Sequence, residues 1–376
     1  MREEPPIRTR GPSPVWSLWR TPKERSGWQN TPPGNVIDDL SMLVVPAGSI
    51  AKVAVEFATP FTRLVGCRAP IQLAVMGGGT GTPELAAAVS QAGGLGMLSS
   101  TFPMSLDEQL SWVQERTERP VGVGFFAFDL PTRTEELELA ARRARVVDVF
   151  WGDPDATVVE RIHAGGAIAF WQVGSLDEAV AAVDAGCDTV IAQGIEAGGH
   201  VRGTTPLATL LRQVTAAVEV PVIAAGGIAA GAALAEALNA GAAAARVGTR
   251  FLATAESGAH PEYVAALLAA TADATVHTTA FGEGWPDAPH RVLRIARERA
   301  AVCTDRVVAR AAYRDQSWEV VRWSAQPPTV FTTGEVAAMA MYAGCGVGDV
   351  ADVPTAAQIV ERMMAEAVPL LAPPAR

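Results

Sequence analysis

The chain has few cysteines and no closely spaced pair of them. Its four thiols, Cys67, Cys187, Cys303 and Cys345, are scattered over 376 residues. Disulfide frameworks of small secreted folds and structural zinc sites both need cysteines at short, regular spacings. The sequence therefore predicts reduced thiols in a cytoplasmic protein, with neither a disulfide framework nor a metal site.

Positive charge is also scarce. Acidic residues outnumber basic ones by 40 to 30, which gives a formal net charge of -10. No cluster of Lys and Arg occurs after residue 25, whereas proteins that bind nucleic acid usually carry a basic patch or stripe. We therefore expect a small molecule, rather than nucleic acid, as the partner of this chain.

Long uninterrupted apolar segments are missing as well. The first forty residues contain no apolar stretch of the kind found in secretory signals. Residues Val222–Ala245 are almost uncharged over the length of a membrane span, but Gly226, Gly227 and Gly231 interrupt them as turns would. We expect no membrane association.

Short apolar runs do alternate regularly with helical patterns after residue 70. The eight runs are Ile71–Met76, Leu95–Ser99, Val121–Phe126, Val146–Phe150, Ile168–Gln172, Thr189–Ala192, Pro221–Ala224 and Ala244–Val247. Alternation of this kind predicts a parallel sheet covered by helices. Eight repeats match an α/β fold of the (β/α)₈ TIM-barrel class, and a doubly wound open sheet is the alternative.

Helix start signals support the same assignment. Three Ser or Thr residues are followed by Glu at the capping-box spacing, and these pairs are Ser105 with Glu108, Thr132 with Glu135, and Ser175 with Glu178. Pro83 and Pro154 are expected at the first position of a helix, where proline is favoured. Together the signals place helices between the apolar runs.

Three regions follow from these patterns. Residues 1–40 are dense in proline, which predicts a disordered or loosely attached extension, and Met42 is an alternative start of translation. Residues 58–275 contain the predicted barrel. Residues 276–376 are expected to be mainly helical and to pack on the barrel as a cap, with an Ala-rich run from Glu335 and a last helix from about Thr355 to Leu371.

The glycine-rich loop after the first run, Gly77–Gly81, invites a dinucleotide-binding interpretation. That interpretation is weak because the spacing Gly-x-Gly-x-x-Gly is not met, and no acidic residue ends the second strand. A loop that lets backbone lie against a flat ring is the better interpretation.

Two further glycine loops follow the seventh and eighth runs. Barrels that bind phosphorylated ligands hold the phosphate between the loops at these two places. We therefore expect the backbone amides of Gly227, Gly248 and Thr249, with the Thr249 hydroxyl, to form a phosphate cradle. Ordinary glycine turns are the alternative.

The sixth run ends in Gln193 and continues into a glycine-rich loop that ends at His200. Histidine is the side chain best suited to move protons near neutral pH, so His200 is a candidate catalytic base, with a surface turn as the alternative. Structural roles are expected for the other histidines, which are His163, His260, His277 and His290.

Several segments, in this order along the chain, resemble those of the nitronate monooxygenases, formerly called 2-nitropropane dioxygenases. The matching segments are Thr59–Leu64, Pro70–Ile71, Met76–Ser90, Ala92–Gly96, Ala192–His200, Ala225–Ile228 and Val247–Ser257. The resemblance covers about residues 58 to 376. The chain departs from the family pattern at three places. The family usually has Pro where this chain has Val75, and Asn where it has Gly124. It often has Lys or a small polar residue near Trp171–Gln172.

The resemblance implies a non-covalently bound FMN in the barrel and a catalytic role for His200. The residues that it assigns to the cofactor are Ala74, Val75, Met76, Gly77, Gln193, Gly198, Gly199, Gly226, Gly227, Gly248 and Thr249. The first four would contact the isoalloxazine ring, and the last four would hold the phosphate.

The activity that the resemblance implies is oxidative denitrification of alkyl nitronates or nitroalkanes with O2, giving a carbonyl compound and nitrite. A homodimer is a possible assembly. An NAD(P)H-dependent flavin reductase of enoyl thioesters or quinones on the same barrel is the alternative. A barrel that binds phosphate ligands without redox chemistry is a third hypothesis.

Overall fold

The computed structural model describes residues 57–372, so the predicted extension over residues 1–40 lies outside the described part. The first nine strands are β1 (Ile71–Leu73), β2 (Gly96–Ser99), β3 (Val121–Phe126), β4 (Val146–Phe150), β5 (Ile168–Val173), β6 (Thr189–Gln193), β7 (Gly199–His200), β8 (Val222–Ala225) and β9 (Ala244–Val247). All of them except β7 belong to one eight-stranded sheet.

That sheet closes on itself as a barrel. Its strands follow the order β1-β9-β8-β6-β5-β4-β3-β2, and every neighbouring pair is parallel. The ring closes between β1 and β2, where Gln72 bridges Leu95 and the Leu73 amide donates to the Leu95 carbonyl at 2.9 Å. The predicted TIM barrel is confirmed.

Helices connect the strands and cover the barrel. They are α1 (Pro60–Val65), α2 (Pro83–Ala92), α3 (Leu106–Gln114), α4 (Thr134–Arg143), α5 (Ala156–Gly165), α6 (Leu176–Asp184), α7 (Leu207–Ala217), α8 (Gly231–Asn239), α9 (Thr249–Leu252), α10 (Pro261–Leu268), α11 (Arg294–Val302) and α12 (Ala356–Ala367). The last helix packs between α2 and α8 and buries Ile359, Val360 and Met363. Within residues 57–372, no helix combines the length and apolarity that crossing a membrane requires.

The predicted helix start at Ser105 is confirmed. Ser105 and Glu108 form the reciprocal capping box, and Pro83 occupies the first turn of α2. Ser175 caps α6 by accepting from the Glu178 amide, but the Glu178 carboxylate accepts from the preceding loop, at Gly174. Ser175 and Glu178 therefore form only one of the two hydrogen bonds of a capping box.

Two other predicted helix starts are wrong. The Thr132 hydroxyl donates to the Asp129 carbonyl at 3.0 Å and completes a 3₁₀ turn, so α4 begins two residues later without a side-chain cap. Pro154 precedes the helix instead of opening it. Asp155 is the capping residue of α5, because its carboxylate accepts from the Thr157 amide at 2.8 Å.

The segment after the barrel is not mainly helical, contrary to the prediction. It adds five strands, β10 (Thr275–Thr278), β11 (His290–Leu293), β12 (Val307–Tyr313), β13 (Gln316–Val321) and β14 (Thr332–Gly334). They form two three-stranded sheets, in the orders β10-β11-β7 and β13-β12-β14. The Ala-rich run from Glu335 contains only a short 3₁₀ turn. Alanine favours helix, but here Ala338, Ala340 and Ala343 are buried in irregular backbone, so packing in the cap overrides the local preference.

The cap packs on the barrel. A second apolar core, separate from that of the barrel, joins α10, α11 and the cap strands. Met76 packs against both cores. The loop after β1 therefore lies between the two parts of the fold.

Candidate active site

A cavity of about 1280 Å³ lies where the barrel strands end and the cap begins. Active sites of this fold lie at that end of the barrel. All twelve residues predicted from the sequence line the cavity, namely Ala74, Val75, Met76, Gly77, Gln193, Gly198, Gly199, His200, Gly226, Gly227, Gly248 and Thr249. The fold thus brings together residues that are spread over 176 positions of the chain.

The loops after β8 and β9 carry free backbone donors. Among residues 57–372, the amides of Gly227, Gly248 and Thr249 donate to no other residue. Gly226 and Gly227 have φ values of 122° and 71°, a region that side chains disfavour. Free amides at glycine loops can bind an anion.

The Thr249 hydroxyl has a partner that the sequence did not indicate. It accepts a hydrogen bond from the Gly344 amide of the cap at 3.0 Å. Gly346 lies close by, and a Cβ there would come within 2.4 Å of the Gly227 carbonyl oxygen. The cap loop therefore closes over the two glycine loops. The glycine-rich run from Gly344 to Gly348 was a signal in the sequence that could have identified it.

Two departures from the family pattern lie in contact with each other. A Cβ on Gly124 would come within 2.4 Å of the Val75 side chain. Gly124 in β3 therefore leaves the space that Val75 fills on the neighbouring side of the cavity. The two departures from the family pattern, Gly124 and Val75, therefore pack directly against each other.

Gln193 holds the loop that carries His200. Its side-chain nitrogen donates to the His200 carbonyl at 2.9 Å, and its side-chain oxygen accepts from the Arg202 amide at 3.3 Å. On the other side, β7 pairs with β11 of the cap, with His200 opposite His290. The position of His200 thus depends on both the barrel and the cap.

The imidazole of His200 is unpaired at one nitrogen. Its Nε2 is buried and finds no hydrogen-bond partner within the described residues. Burial, and secondarily the nearby His290, holds the pKa of His200 well below its usual value of 6.5. The ring is therefore neutral at pH 7 and able to accept a proton.

Aromatic side chains surround this imidazole. Its ring stacks on Trp285, with the centroids 3.9 Å apart and an interplanar angle of 24°. Trp151 and Tyr342 each lie 5.6 Å from it, and Phe126 packs on Trp285 at 4.9 Å. This aromatic surface was not predicted from the sequence, because its members come from four separate segments.

His290 lies beside His200 but is hydrogen-bonded at both of its ring nitrogens. It is fully buried, its Nδ1 donates to the Ala288 carbonyl at 2.9 Å, and its Nε2 accepts from the Phe281 amide at 3.2 Å. Both ring nitrogens are therefore occupied.

A buried ion pair lies inside the barrel beneath this region. Arg246 of β9 donates to Asp148 of β4 at 2.5 Å, and only 6% and 2% of the two side chains are exposed. Both residues line the cavity, as does Gln172 of β5. Burial raises the pKa of the Asp148 carboxyl, and Arg246 opposes that rise. Charged residues within buried strands gave no recognisable motif, so this pair was also missed.

The outer rim of the cavity carries paired charges. Arg133 lies 2.5 Å from Glu136, and Arg314 of the cap lies 3.1 Å from Glu108 of α3. In the described part of the chain, no three His, Cys, Asp or Glu residues are grouped as a metal site would require.

Residues 58–136 and 132–366 match the family model of nitronate monooxygenase. The chain belongs to the nitronate monooxygenase family. It is therefore an oxidoreductase. A relative from Rhodococcus jostii strain RHA1 is named (3aS,4S,5R,7aS)-5-hydroxy-7a-methyl-1-oxo-octahydro-1H-indene-4-carboxyl-CoA dehydrogenase. It is 31% identical over 82% of this chain and 96% of its own length.

Two solved structures are similar to this nitronate monooxygenase family member. FabK from Thermotoga maritima has a TM-score of 0.66 and 30% identity, over 83% of this chain and 96% of that one. Nitroalkane oxidase from Streptomyces ansochromogenes has a TM-score of 0.65 and 29% identity, over 83% and 99%. The similarity therefore includes the cap as well as the barrel.

Proposed function

We propose that this chain is an FMN-dependent enzyme that oxidises alkyl nitronates or nitroalkanes with O2 to a carbonyl compound and nitrite. Membership of the nitronate monooxygenase family and the similarity to a nitroalkane oxidase support this proposal. The observation that carries it is the buried, unpartnered Nε2 of His200 in the cavity that the predicted cofactor residues line.

The residues present fit an FMN. The free amides of Gly227, Gly248 and Thr249 suit its phosphate. The backbone from Ala74 to Gly77 would lie against its ring, and Gly198 and Gly199 would lie at the ring's edge. When bound, FMN supplies the redox chemistry by accepting electrons from the substrate and passing them to O2.

His200 supplies the proton chemistry. Its neutral Nε2 would accept the proton from the α-carbon of a nitroalkane, a contribution of about 10²–10⁴-fold to the rate. A nitronate arrives already ionised, so His200 would then only position it. The stack with Trp285 holds the imidazole in one plane, and Trp151 lies edge-on to it at 5.6 Å.

An anaerobic titration tests the proposal. The purified chain should be yellow and should release FMN on denaturation. Its flavin spectrum should bleach with an alkyl nitronate and remain unchanged with NADH. A colourless protein that cannot be reconstituted with FMN would refute the cofactor assignment. Bleaching by NADH together with no response to nitronate or nitroalkane would refute the substrate assignment.

A second candidate is an NAD(P)H-dependent flavin reductase of enoyl thioesters or quinones. The relative from Rhodococcus jostii that is named as a dehydrogenase of an indene-4-carboxyl-CoA favours it. Arg133 and Arg314 of the rim are already paired with carboxylates. Arg306 also lines the cavity and forms no ion pair within residues 57–372, so it is the arginine that could meet a phosphate of a coenzyme A tail.

A further inference from the structure

All three nitrogens of the Arg246 guanidinium donate hydrogen bonds inside the barrel. Its Nε donates to Gln72 Oε1 at 3.1 Å, its Nη1 to Gln172 Oε1 at 2.5 Å, and its Nη2 to Asp148 Oδ2 at 2.5 Å. Arginine donates hydrogen bonds and accepts none. Each neighbour must therefore turn an oxygen toward it.

This requirement determines the orientation of two amide side chains. With its oxygen on Arg246, Gln72 points its nitrogen at the Met97 sulfur, 3.5 Å away. Gln172 is 5% exposed, and its nitrogen donates to none of the residues 57–372. Because Gln172 lines the cavity, its free NH₂ is available to a ligand there.

The hydrogen-bond network around Arg246 lies next to residues that the sequence assigns to the FMN site. Gln72 of β1 and Arg246 of β9 are register partners in the barrel. Two residues further along these strands lie Ala74 and Gly248, and a Cβ on Gly248 would be 3.2 Å from the Ala74 Cβ. Both of these residues belong to the predicted FMN site, so the buried charges are next to it.

Only one of the two carboxylate oxygens of Asp148 has a hydrogen-bond partner within the described residues. Asp148 Oδ2 binds Arg246, while its buried Oδ1 has no partner within the described residues. A buried pair of this kind stabilises the fold weakly at best, since desolvation of both charges offsets their attraction. A role in the site explains its placement better than stability does.

We propose that Arg246 is a positioning residue for the flavin. It orients the Gln172 amide as a donor to the flavin ring, and it places a buried positive charge beside that ring. The negative charge of Asp148 weakens the effect of the positive charge. The inference rests on the proposed FMN site. A flavin ring gains negative charge on reduction, and a nearby cation favours that charged form in a low-dielectric interior.

The test uses three variants of the full chain loaded with FMN: Arg246→Gln, Asp148→Asn and Arg246→Lys. The readouts are the flavin reduction potential and the dissociation constant of sulfite, which adds to the oxidised ring and leaves it negatively charged. Neither readout depends on turnover.

The expected shifts have opposite signs. Asp148→Asn leaves Arg246 uncompensated, so the potential should rise and sulfite should bind about tenfold more tightly. Arg246→Gln removes the cation, so the potential should fall and sulfite should bind more weakly. Arg246→Lys keeps the charge and should stay close to the wild type in potential.

Folding is controlled by the double variant Arg246→Gln/Asp148→Asn. Its two amides can hydrogen-bond to each other without charge, and its potential should lie between those of the single variants. Shifts of the same sign in both single variants, or flavin-loaded variants indistinguishable from wild type, would overturn the inference alone. A wild-type chain that binds no flavin would overturn the proposed function and this inference together.

Discussion

The imidazole of His200 stacks on the indole of Trp285 with the two ring planes 24° apart, while the Gln193 side-chain nitrogen donates to the His200 carbonyl. The ring is thus held from both the barrel and the cap. Such preorganisation allows a neutral imidazole to present one nitrogen to the cavity in a single direction.

Replacement of His200 should lower activity on a nitroalkane much more than activity on a preformed nitronate. His200→Asn keeps a donor of similar size but cannot act as a base at neutral pH. We expect kcat/KM for a neutral nitroalkane to fall by about 10²–10⁴-fold, with a much smaller loss for the preformed nitronate. Flavin content should be unchanged. Equal losses on both substrates would assign His200 to positioning instead of proton removal.

Replacement of Trp285 tests the stack itself. Trp285→Phe keeps an aromatic face beside His200, whereas Trp285→Leu removes it. An aromatic pair contributes roughly 0.5–1.5 kcal/mol beyond burial, so Trp285→Leu should lower nitroalkane kcat/KM by up to about tenfold relative to Trp285→Phe. Steady-state kinetics of both variants at equal flavin occupancy make the comparison. Identical kinetics would show that the stack does not orient the base.

The pH dependence follows from the lowered pKa of His200. The proposed base acts as the neutral ring, so nitroalkane kcat/KM should persist as pH falls through 6.5 and decline only well below it. In the unfolded chain the same ring binds a proton near 6.5, so its contribution to stability is present above that pH and is lost as pH falls below it. Rate profiles and melting curves between pH 5 and 8 measure both effects. An inflection at or above 6.5 in the rate profile would contradict the assignment.

The phosphate site is tested by a matched pair of glycine substitutions. Gly227→Asp places a carboxylate among free amides at a residue with φ of 71°, so it should abolish FMN binding by occupying the cradle and repelling the phosphate. Gly166→Asp is the control, because Gly166 has a similar φ of 92° and open space around it at the end of α5. FMN titration with a melting curve compares them. Equal FMN affinity in both folded variants would place the phosphate elsewhere.

The barrel was predictable because its signal is local. Each of the eight strands overlaps the apolar run expected for it, and β3, β4 and β9 have the predicted bounds. Burial on both faces demands a nearly continuous apolar sequence, which needs no knowledge of distant residues. The glycine loops were found for the same reason, since each is a contiguous segment.

The cap and the aromatic surface were less predictable because they depend on pairing between distant segments. β7 is two residues long and exists only through its contact with β11, ninety residues later. Trp285 and Tyr342 approach His200 from separate parts of the cap. Arg246 is similar, because its partners come from β1, β4 and β5, and no single stretch of sequence contains them.

The pairing of β7 with β11 also has a consequence for how the enzyme acquires activity. A barrel that has closed but has not yet received its cap would already hold Gly227 and Gly248 on their strands, yet it would lack Trp285, Tyr342 and the strand that supports His200. During refolding, the chain would then bind its cofactor first and become catalytically active later. Recovery of nitroalkane turnover would lag behind recovery of barrel structure, and the length of that delay would time the docking of the cap.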